Sequence, residues 1–413
     1  MQNLYTGISQ FEPLFPSETG EIEDLAYRLV ETSARLEGRL SPATLSGIAG
    51  LLRVVNSYYS NLIEGHNTHP IDIQKAMRRE YSDDEDKRDL QIESRIHIEV
   101  QQKILERLAA EPETNVAAPE FLCWIHGEFY EQMPERLRWA KGEAEEKARV
   151  EAGKVRNDQV VVGRHLPPTV ESLNDFLRRF GEFYNPAATS MRGLRPVIAL
   201  AAAHHRLMWI HPFLDGNGRV TRLFTDAYFY RIGFSGYGLW NASRGLARQR
   251  GEYKQFLAAA DEHRDNDFDG RGNLSNRTLT EFCRFFLKAC LDQAEFMNRM
   301  LALGDFLQRV ENYVERRNAG YILTEGGEKY PPLPDRTAAI LKEAAIKGEI
   351  TRGEIYKIVE MSERTGRNVL KTLLGEGLLV ADSDWHKARV RLGLPAQFAA
   401  YLFPRLFPDD ISK

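Results

Sequence analysis

The sequence predicts a mainly α-helical protein, and three observations support this prediction. Apolar residues recur at helical spacing along most of the 413 residues. Strand signals are scarce and are clearest in two short segments, around 159–163 and 378–392. Near the C-terminus a helix, a short turn, a second helix and a hairpin follow one another, which is the order of a winged helix-turn-helix unit.

The composition excludes several classes of protein. Hydrophobic residues make up 43% and charged residues 28% of the chain, as in an ordinary globular protein. The 55 Lys and Arg nearly balance the 59 Asp and Glu, so the chain as a whole is not built to coat nucleic acid or an anionic membrane. Three widely spaced cysteines offer no disulfide framework, residues 1–20 lack the apolar segment of a signal peptide, and no apolar run approaches a membrane span. We therefore expect a cytoplasmic protein with no membrane contact.

The first strong helical pattern covers Thr44–Ile63. Ser41 suits the N-cap, Pro42 the first helical position and Gly65 the C-terminal stop. One face of this helix is apolar and is formed by Leu51, Val55, Tyr58 and Leu62. These signals together predict an amphipathic helix with defined ends.

The same periodicity predicts further helices at about 86–110, 169–184, 197–209 and 279–299. A short β-hairpin is expected where Val160, Val161 and Val162 follow the turn-like residues 156–158 and precede Pro167-Pro168. Residues 265–277 are rich in Asp, Asn and Gly and are predicted to form a loop.

The segment from His211 to Arg222 combines several groups that suit phosphate chemistry. The histidine titrates near neutral pH and can act as a base, and Asp215 is a hard oxygen ligand suited to Mg²⁺. Gly216-Asn217-Gly218 is a turn whose N–H groups can converge on an anion at the start of a predicted helix. Arg219 and Arg222 are three residues apart, so both can reach one polyphosphate. Each group alone is weak evidence, but the set in this order predicts phosphoryl or nucleotidyl transfer.

Residues 211–222 resemble the motif of the Fic family, His-Pro-Phe-x-(Asp/Glu)-Gly-Asn-Gly-Arg-x-x-Arg, and match every fixed position. The resemblance implies a helical Fic core that binds ATP–Mg²⁺ and transfers AMP to a Ser, Thr or Tyr hydroxyl of a target protein. It implies the following roles: His211 as general base, Asp215 as Mg²⁺ ligand, Gly216, Asn217 and Gly218 as the anion loop, and Arg219 and Arg222 as ligands of the β- and γ-phosphates.

Two further segments extend the resemblance to the Fic family. The hairpin at Val160, Val161, Val162 and Gly163 lies where the family has a flap that pairs with an extended segment of the target. An ordinary surface hairpin is an equally simple interpretation of that pattern.

The second segment, Ser60-Asn61-Leu62-Ile63-Glu64-Gly65, matches the family's inhibitory pattern (Ser/Thr)-x-x-x-Glu-(Gly/Asn). A carboxylate at this helix end that pairs with Arg222 would remove the cation meant for the γ-phosphate. The alternative for Glu64 is a solvated charge at a helix terminus, where the helix dipole disfavours it.

The C-terminal unit carries basic residues on one helix face, namely Arg364, Arg367 and Lys371, with more on the following hairpin. This layout is typical of a DNA-reading winged helix. Acidic residues are interleaved with the basic ones, so protein contact or domain packing is an equal alternative.

These patterns predict four regions. They are an N-terminal helical region with the inhibitory helix (1–115), a Fic catalytic domain (116–300), a connector (301–334) and a winged helix-turn-helix domain (335–413). The expected function is protein adenylyl transfer with ATP as substrate and Mg²⁺ as cofactor, with self-modification and a homodimer as further expectations. The alternatives are a Fic-type phosphotransferase, an enzyme that removes AMP, or a DNA-binding regulator with a nucleotide-sensing Fic unit.

Overall fold

A computed structural model of the chain describes residues 4–17, 20–141, 147–188, 190–324, 327–360, 362–381 and 389–407. Within these ranges the protein is mainly α-helical, which confirms the predicted fold class. The helices are α1 Gly20–Ala34, α2 Pro42–Glu64, α3 Pro70–Met77, α4 Glu85–Ala110, α5 Pro119–Tyr130, α6 Leu173–Phe183, α7 Arg195–Ile210, α8 Asn217–Arg231, α9 Ala242–Arg248, α10 Arg250–Ala260, α11 Asn276–Met300, α12 Leu303–Asn318, α13 Thr337–Lys347, α14 Arg352–Val359, α15 Glu363–Gly375 and α16 Ala396–Leu402. The strands are β1 Trp139–Lys141, β2 Lys147–Arg149, β3 Leu379–Ala381 and β4 Val390–Leu392.

The chain divides into two compact units. The first comprises residues 1–32, 56–237 and 241–293, and the second comprises 33–55, 238–240 and 294–413. Among the described residues, no helix is long and apolar enough to cross a membrane.

Helix α8 lies at the centre of the first unit. It packs against α4, α5 and α7, and most of its side chains are buried. Helix α7 is rich in small residues, with Ala199, Ala201, Ala202 and Ala203 all buried. Small side chains let the two helix backbones approach closely, so the turn between α7 and α8 is held by packing on both sides.

Helix α2 has the predicted ends. Pro42 is its first residue, and Ser41 Oγ accepts a hydrogen bond from the Thr44 N–H at 3.4 Å. At the other end the Gly65 N–H donates to Leu62 O at 3.1 Å and the His66 N–H donates to Asn61 O at 3.0 Å. These two bonds form a Schellman motif, which requires the left-handed conformation that Gly65 adopts with φ of 96°.

The strand signal around Val160–Val162 does not produce a regular strand. Instead, one bridge joins Val162 to His165 across a tight turn in which Gly163 has φ of 63°. A hairpin that the sequence analysis missed lies earlier, where β1 pairs with β2 in antiparallel register. Three β-branched residues in a row favour extended backbone, but a strand also needs a partner, and the described residues supply none beyond that bridge.

The second unit contains the helices and hairpin predicted at the C-terminus. Thr351 and Ser362 cap α14 and α15, as their side-chain oxygens accept from the N–H groups of Glu354 and Thr365. Strands β3 and β4 pair antiparallel, and Ile350 adds a bridge to Val390. The tip of this hairpin, 382–388, lies outside the described residues. Residues 303–318, expected to belong to a connector, form helix α12.

Candidate active site

His211 lies at the point where α7 ends. Its N–H closes the helix on Leu207 O at 3.1 Å, and its own backbone is left-handed, with φ of 49°. A histidine in this region of backbone space is strained unless the surroundings hold it. Arg156 provides this support, because its Nε donates to His211 O at 3.0 Å and its backbone N–H donates to Pro212 O at 2.9 Å.

The imidazole of His211 is set up as a proton acceptor. Its Nδ1 lies 3.3 Å from Met208 O, and a carbonyl can only accept, so the tautomer that makes this bond carries its proton on Nδ1. Nε2 then keeps a lone pair. Burial lowers the pKa of His211 to about 4, so the ring is neutral at pH 7. A neutral histidine with a free Nε2 is the form a general base requires.

The turn between His211 and α8 is built for close approach to an anion. Gly216 has φ of 80°, and a Cβ on it would lie 2.6 Å from the Tyr130 ring, so only glycine fits there. Asn217 closes the turn, as its Oδ1 accepts from the Phe213 N–H at 2.9 Å and its Nδ2 donates to Phe213 O at 2.8 Å. The first N–H groups of α8 have no acceptor within the helix, which is an arrangement that can bind an anion.

Asp215 is the exposed carboxylate of the site. Its side chain is 45% exposed, and its Oδ2 accepts from Tyr130 Oη at 2.7 Å and from Arg219 Nη2 at 3.1 Å. Burial favours a higher pKa, but Arg219 and Tyr130 outweigh it, so the pKa of Asp215 is lowered and the group is ionised. Within the described ranges, no group of three or more His, Cys, Asp and Glu forms a metal cluster. A single carboxylate fits Mg²⁺ that arrives with a polyphosphate, because such Mg²⁺ takes most of its ligands from phosphate and water.

Two nitrogens of the Arg222 guanidinium, Nε and Nη2, bond to the end of helix α2. Its Nη2 donates to Glu64 Oε1 at 2.6 Å and to Ser60 O at 3.1 Å, and its Nε donates to Ser60 Oγ at 2.9 Å. The Arg222 side chain is 2% exposed and that of Glu64 is 34% exposed. Burial acts to raise the pKa of Glu64, but Arg222 and Arg219 outweigh it and the pKa is lowered, so the pair is ionic.

The contacts between α2 and α8 form a regular ladder. Asn56, Ser60 and Glu64 are spaced by four residues on α2 and meet Asp226, Arg222 and Gly218, spaced by four on α8. Residues at this spacing share one helix face, so the ladder aligns the two helices and sets the height of Glu64 above the turn.

Comparison with known proteins identifies the part of the chain that holds this site. The model of the Fic/DOC family matches residues 116–229, which include the whole segment from His211 to Arg222. The chain contains a Fic domain.

Relatives of this Fic domain are named "Protein adenylyltransferase Fic". The protein of Drosophila virilis is 30% identical over 176 residues, which are 43% of this chain and 31% of that protein. The protein of Drosophila willistoni is 37% identical over 113 residues, which are 27% of this chain and 21% of that protein. The chain therefore spans between a fifth and a third of the length of these two relatives.

Solved structures show a similar fold. A Fic family protein from Desulfovibrio desulfuricans matches with a TM-score of 0.50 at 16% identity, over 91% of this chain and 97% of that chain. A Fic-domain-containing signalling protein from Bacteroides thetaiotaomicron matches with a TM-score of 0.52 at 18% identity, over 68% of this chain and 97% of that chain.

The structure adds residues to the Fic domain site that the sequence analysis missed. Tyr130 contacts Asp215, Arg156 supports His211, and Asn56 pairs with Asp226. Glu93 on α4 lies against Arg219 and His66. Asn56 could have been found, because it is a polar residue four positions before Ser60 on a helix with a defined inhibitory end. The other three carry no local signal, since their partners are distant in sequence.

The segment that contains the predicted flap residues lies beside His211 and before Pro167-Pro168. It ends in the turn at Gly163. Arg156 ties both ends of this segment, donating through Nη1 to Asp158 O at 3.2 Å and through Nη2 to Pro168 O at 2.5 Å. Val161 is 52% exposed, and within the described part of the chain nothing hydrogen-bonds to the backbones of Val160 or Val161. Among the predicted flap residues, Val160 and Val161 thus have no backbone partner within the described part of the chain, whereas Val162 is bridged to His165 and Gly163 lies in the turn.

A cavity of about 620 Å³ lies beside the same segment. Its lining includes Tyr5, Val162, Gly163, His165, Asp261 and Glu262. His165 connects this cavity to the site, because its Nε2 donates to the carbonyl of Trp209, two residues before His211, at 2.7 Å.

The predicted basic face of the second unit is solvent-exposed. Arg364, Arg367 and Lys371 on α15 are exposed, while Val369, Leu370 and Leu373 are buried. Arg367 also lies 3.2 Å from Glu363, which reduces the net charge of this face.

Proposed function

We propose that the protein is a Fic-type adenylyltransferase that moves AMP from ATP to a hydroxyl side chain of a target protein and that Glu64 inhibits it. The observation that carries this proposal is the position of the Glu64 carboxylate, which is bonded to Arg222 and packed against Gly218 at the start of α8. A turn that accepts a carboxylate offers the same N–H groups and the same guanidinium to a phosphate. The names of the Fic relatives support AMP as the transferred group.

The neutral His211 accepts the proton of the target hydroxyl at Nε2, and the hydroxyl oxygen attacks the α-phosphorus of ATP. The bond between the α-phosphorus and the oxygen that bridges it to the β-phosphate breaks. Pyrophosphate leaves, and AMP stays on the target. The turn Gly216–Gly218 and the guanidinium groups of Arg219 and Arg222 neutralise phosphate charge during this step.

Asp215 is the residue that would hold Mg²⁺ in this reaction. Bound Mg²⁺ would supply charge neutralisation of the phosphates. The ionised, half-exposed carboxylate of Asp215 supports this role, as do the donors from Tyr130 and Arg219 that orient it.

Inhibition follows from competition for Arg222. While Glu64 and Ser60 hold this guanidinium, it cannot engage the γ-phosphate, and ATP binds with its α-phosphate away from the line of attack. A misplacement of about 1 Å at the reacting atoms lowers a rate roughly a hundredfold. Release of Glu64 from Arg222 is therefore the activating event.

The cavity and the exposed edge beside His211 support the remaining parts of the proposal. The cavity is within the usual range for a bound small molecule. The unpaired backbone at Val160 and Val161 pairs with an extended segment of the target, which brings the hydroxyl to His211.

The test uses the wild type, Glu64→Gly, and Glu64→Gly with His211→Ala, each incubated with Mg²⁺ and ATP labelled at the α- or the γ-phosphate. Self-modification serves as the readout. We expect α-label on the protein, most strongly in Glu64→Gly and absent with His211→Ala. A γ-label would overturn the proposal in favour of a phosphotransferase. Loss of label when wild type is added to the purified labelled protein would identify the reverse, AMP-removing activity.

DNA binding by the second unit is a second candidate function. The exposed Arg364, Arg367 and Lys371 on one face of α15, followed by the β3–β4 hairpin, support it. The test is binding to random duplex DNA at two salt concentrations, with a variant in which all three residues are Ala. Binding that weakens with salt and is lost in the variant supports the candidate. A cytoplasmic location and a homodimer stay predictions.

A further inference from the structure

Glu93 is a buried carboxylate beside the catalytic segment that lies outside the matched family region. It lies on α4, and its side chain is 0% exposed. An ionised carboxylate in such a place is unfavourable unless charged partners satisfy it. Glu93 has two: Arg219 Nη1 donates to Oε1, and His66 Nδ1 lies 2.6 Å from Oε2. The hydrogen bond that the Glu93 carboxylate accepts from His66 raises the pKa of His66, which favours the charged form of that ring.

Arg219 connects Glu93 to Asp215. Its side chain is 7% exposed, and while Nη1 is bound to Glu93, Nη2 donates to Asp215 Oδ2 at 3.1 Å and to Tyr130 Oη at 3.1 Å. The guanidinium also lies over the Phe129 ring, 5.2 Å from its centroid. Because the guanidinium is planar and rigid, fixing Nη1 on Glu93 also fixes where Nη2 points.

The position of Arg219 Nη2 determines how the carboxylate of Asp215, the proposed metal ligand, is held. An arginine that is free at both ends binds a carboxylate with two parallel hydrogen bonds and covers both of its oxygens. Arg219 does not do this to Asp215, because Nη1 is held on Glu93 and only Nη2 donates to the Asp215 carboxylate. Asp215 is oriented by Arg219 through Oδ2 alone and keeps 45% of its side chain exposed.

We infer that Glu93 is a positioning residue which, by holding one end of Arg219, keeps Asp215 open to the Mg²⁺ of a bound nucleotide. This inference rests on the proposed function for the identity of the ligand. A purely structural role for Glu93 would instead affect only the stability of the fold. Loss of Glu93 changes the metal dependence of nucleotide binding if Glu93 is a positioning residue, and leaves it unchanged if the role is purely structural.

The test measures ATP binding by calorimetry in a Glu64→Gly, His211→Ala background, in which ATP can bind without transfer. Each variant is titrated once with Mg²⁺ present and once with EDTA. We expect Glu93→Gln to reduce the gain in affinity that Mg²⁺ provides by about tenfold, as is usual when a residue behind a metal ligand is lost. The affinity in EDTA should change less than twofold. The inference would be overturned if Glu93→Gln melted within a few degrees of its parent and still showed the full gain in ATP affinity from Mg²⁺.

His66→Asn is the matched control, because it removes the other partner of Glu93 and leaves Arg219 in place. We expect this variant to keep the gain from Mg²⁺, and a loss equal to that of Glu93→Gln would contradict a role through Arg219. Should Glu93→Gln fold poorly, Glu93→Asp serves instead, because it keeps the charge but moves it away from Arg219 by the length of one methylene group. For Glu93→Asp we expect a gain in ATP affinity from Mg²⁺ that is smaller than in the parent protein and larger than in Arg219→Gln. In a double-mutant cycle, Glu93→Gln should add nothing to Arg219→Gln, whereas an additive loss would overturn the inference.

Failure of the inference is distinguishable from failure of the proposed function. Absence of α-label transfer in Glu64→Gly would remove the proposed function. The binding titrations do not depend on transfer, so they still decide whether Glu93 acts on the metal-dependent affinity.

Discussion

The Glu64 carboxylate lies against the backbone of Gly218, so closely that a Cβ at position 218 would overlap Glu64 Oε1. Gly218 is in the first turn of α8, where the N–H groups have no acceptor within the helix. The Glu64 carboxylate thus lies against the start of α8 in addition to pairing with Arg222. Glycine at 218 leaves room for this carboxylate and, under the proposed function, for a phosphate in its place.

Gly218→Ala is expected to destabilise the protein by roughly 1–3 kcal/mol, because the added methyl group displaces Glu64 from Arg222. The same substitution in a Glu64→Gly background should cost markedly less. Thermal or urea unfolding of the four proteins checks this. The control is Gly251→Ala in α10, where an added Cβ meets nothing within 4 Å, and which should be neutral or slightly stabilising. Equal destabilisation in both backgrounds would contradict the proposed overlap.

Glu64→Gly is expected to raise the rate of AMP transfer by roughly tenfold to a hundredfold, because Arg222 becomes available to the γ-phosphate. Glu64→Gln keeps the size of the side chain and removes its charge, so its rate should lie between those of wild type and Glu64→Gly. Initial rates of α-label incorporation measure both. A Glu64→Gln rate equal to that of wild type would show that shape, and not charge, inhibits the site.

The pH dependence of transfer should reflect a histidine that is neutral across the physiological range. His211 acts as a base only when unprotonated, and burial lowers its pKa to about 4. In Glu64→Gly, transfer should stay level as pH falls from 8 to about 5.5 and decline only as pH approaches 4. A decline centred near the ordinary histidine value of about 6.5 would contradict this. His211→Ala should abolish transfer while leaving the affinity for ATP within a few-fold.

Asp226, the partner of Asn56 in the ladder, should make stability depend on pH. Burial raises the pKa of Asp226 to about 6, above the roughly 3.9 of an unfolded Asp. The folded state therefore binds this proton more tightly than the unfolded state does. The contribution of protonated Asp226 to stability is present at low pH and is lost as pH rises from about 4 to 6. The loss amounts to at most about 3 kcal/mol.

The measurement for Asp226 is the difference in unfolding free energy between wild type and Asp226→Asn, followed from pH 4 to pH 8. As pH rises to about 6, the unfolding free energy of wild type should fall relative to that of Asp226→Asn. Above about pH 6 the difference should stay constant. Asp175→Asn, the same substitution at an exposed position, is the control. A difference that is flat with pH would contradict the raised pKa.

Much of the site was accessible from sequence because its groups are close together along the chain. The motif from His211 to Arg222 lies on one turn and the start of one helix, so its spacing alone indicates that the groups converge. The ends of α2 were predictable for the same reason, since Ser41, Pro42 and Gly65 act on neighbouring backbone groups. The short β-hairpin predicted around 159–163 is reduced to one bridge between Val162 and His165, because pairing depends on a partner, which residue preferences cannot supply.

The sequence by itself determined the helical class, the ends of α2 and the chemistry available at residues 211–222, because these follow from interactions between residues a few positions apart. Only the tertiary structure decided which charges meet. It brought Glu64 to Arg222 and Gly218, Glu93 to Arg219, and Arg156 to His211. Each of these contacts joins residues more than 50 positions apart, and its existence depends on how helices pack and not on local preference.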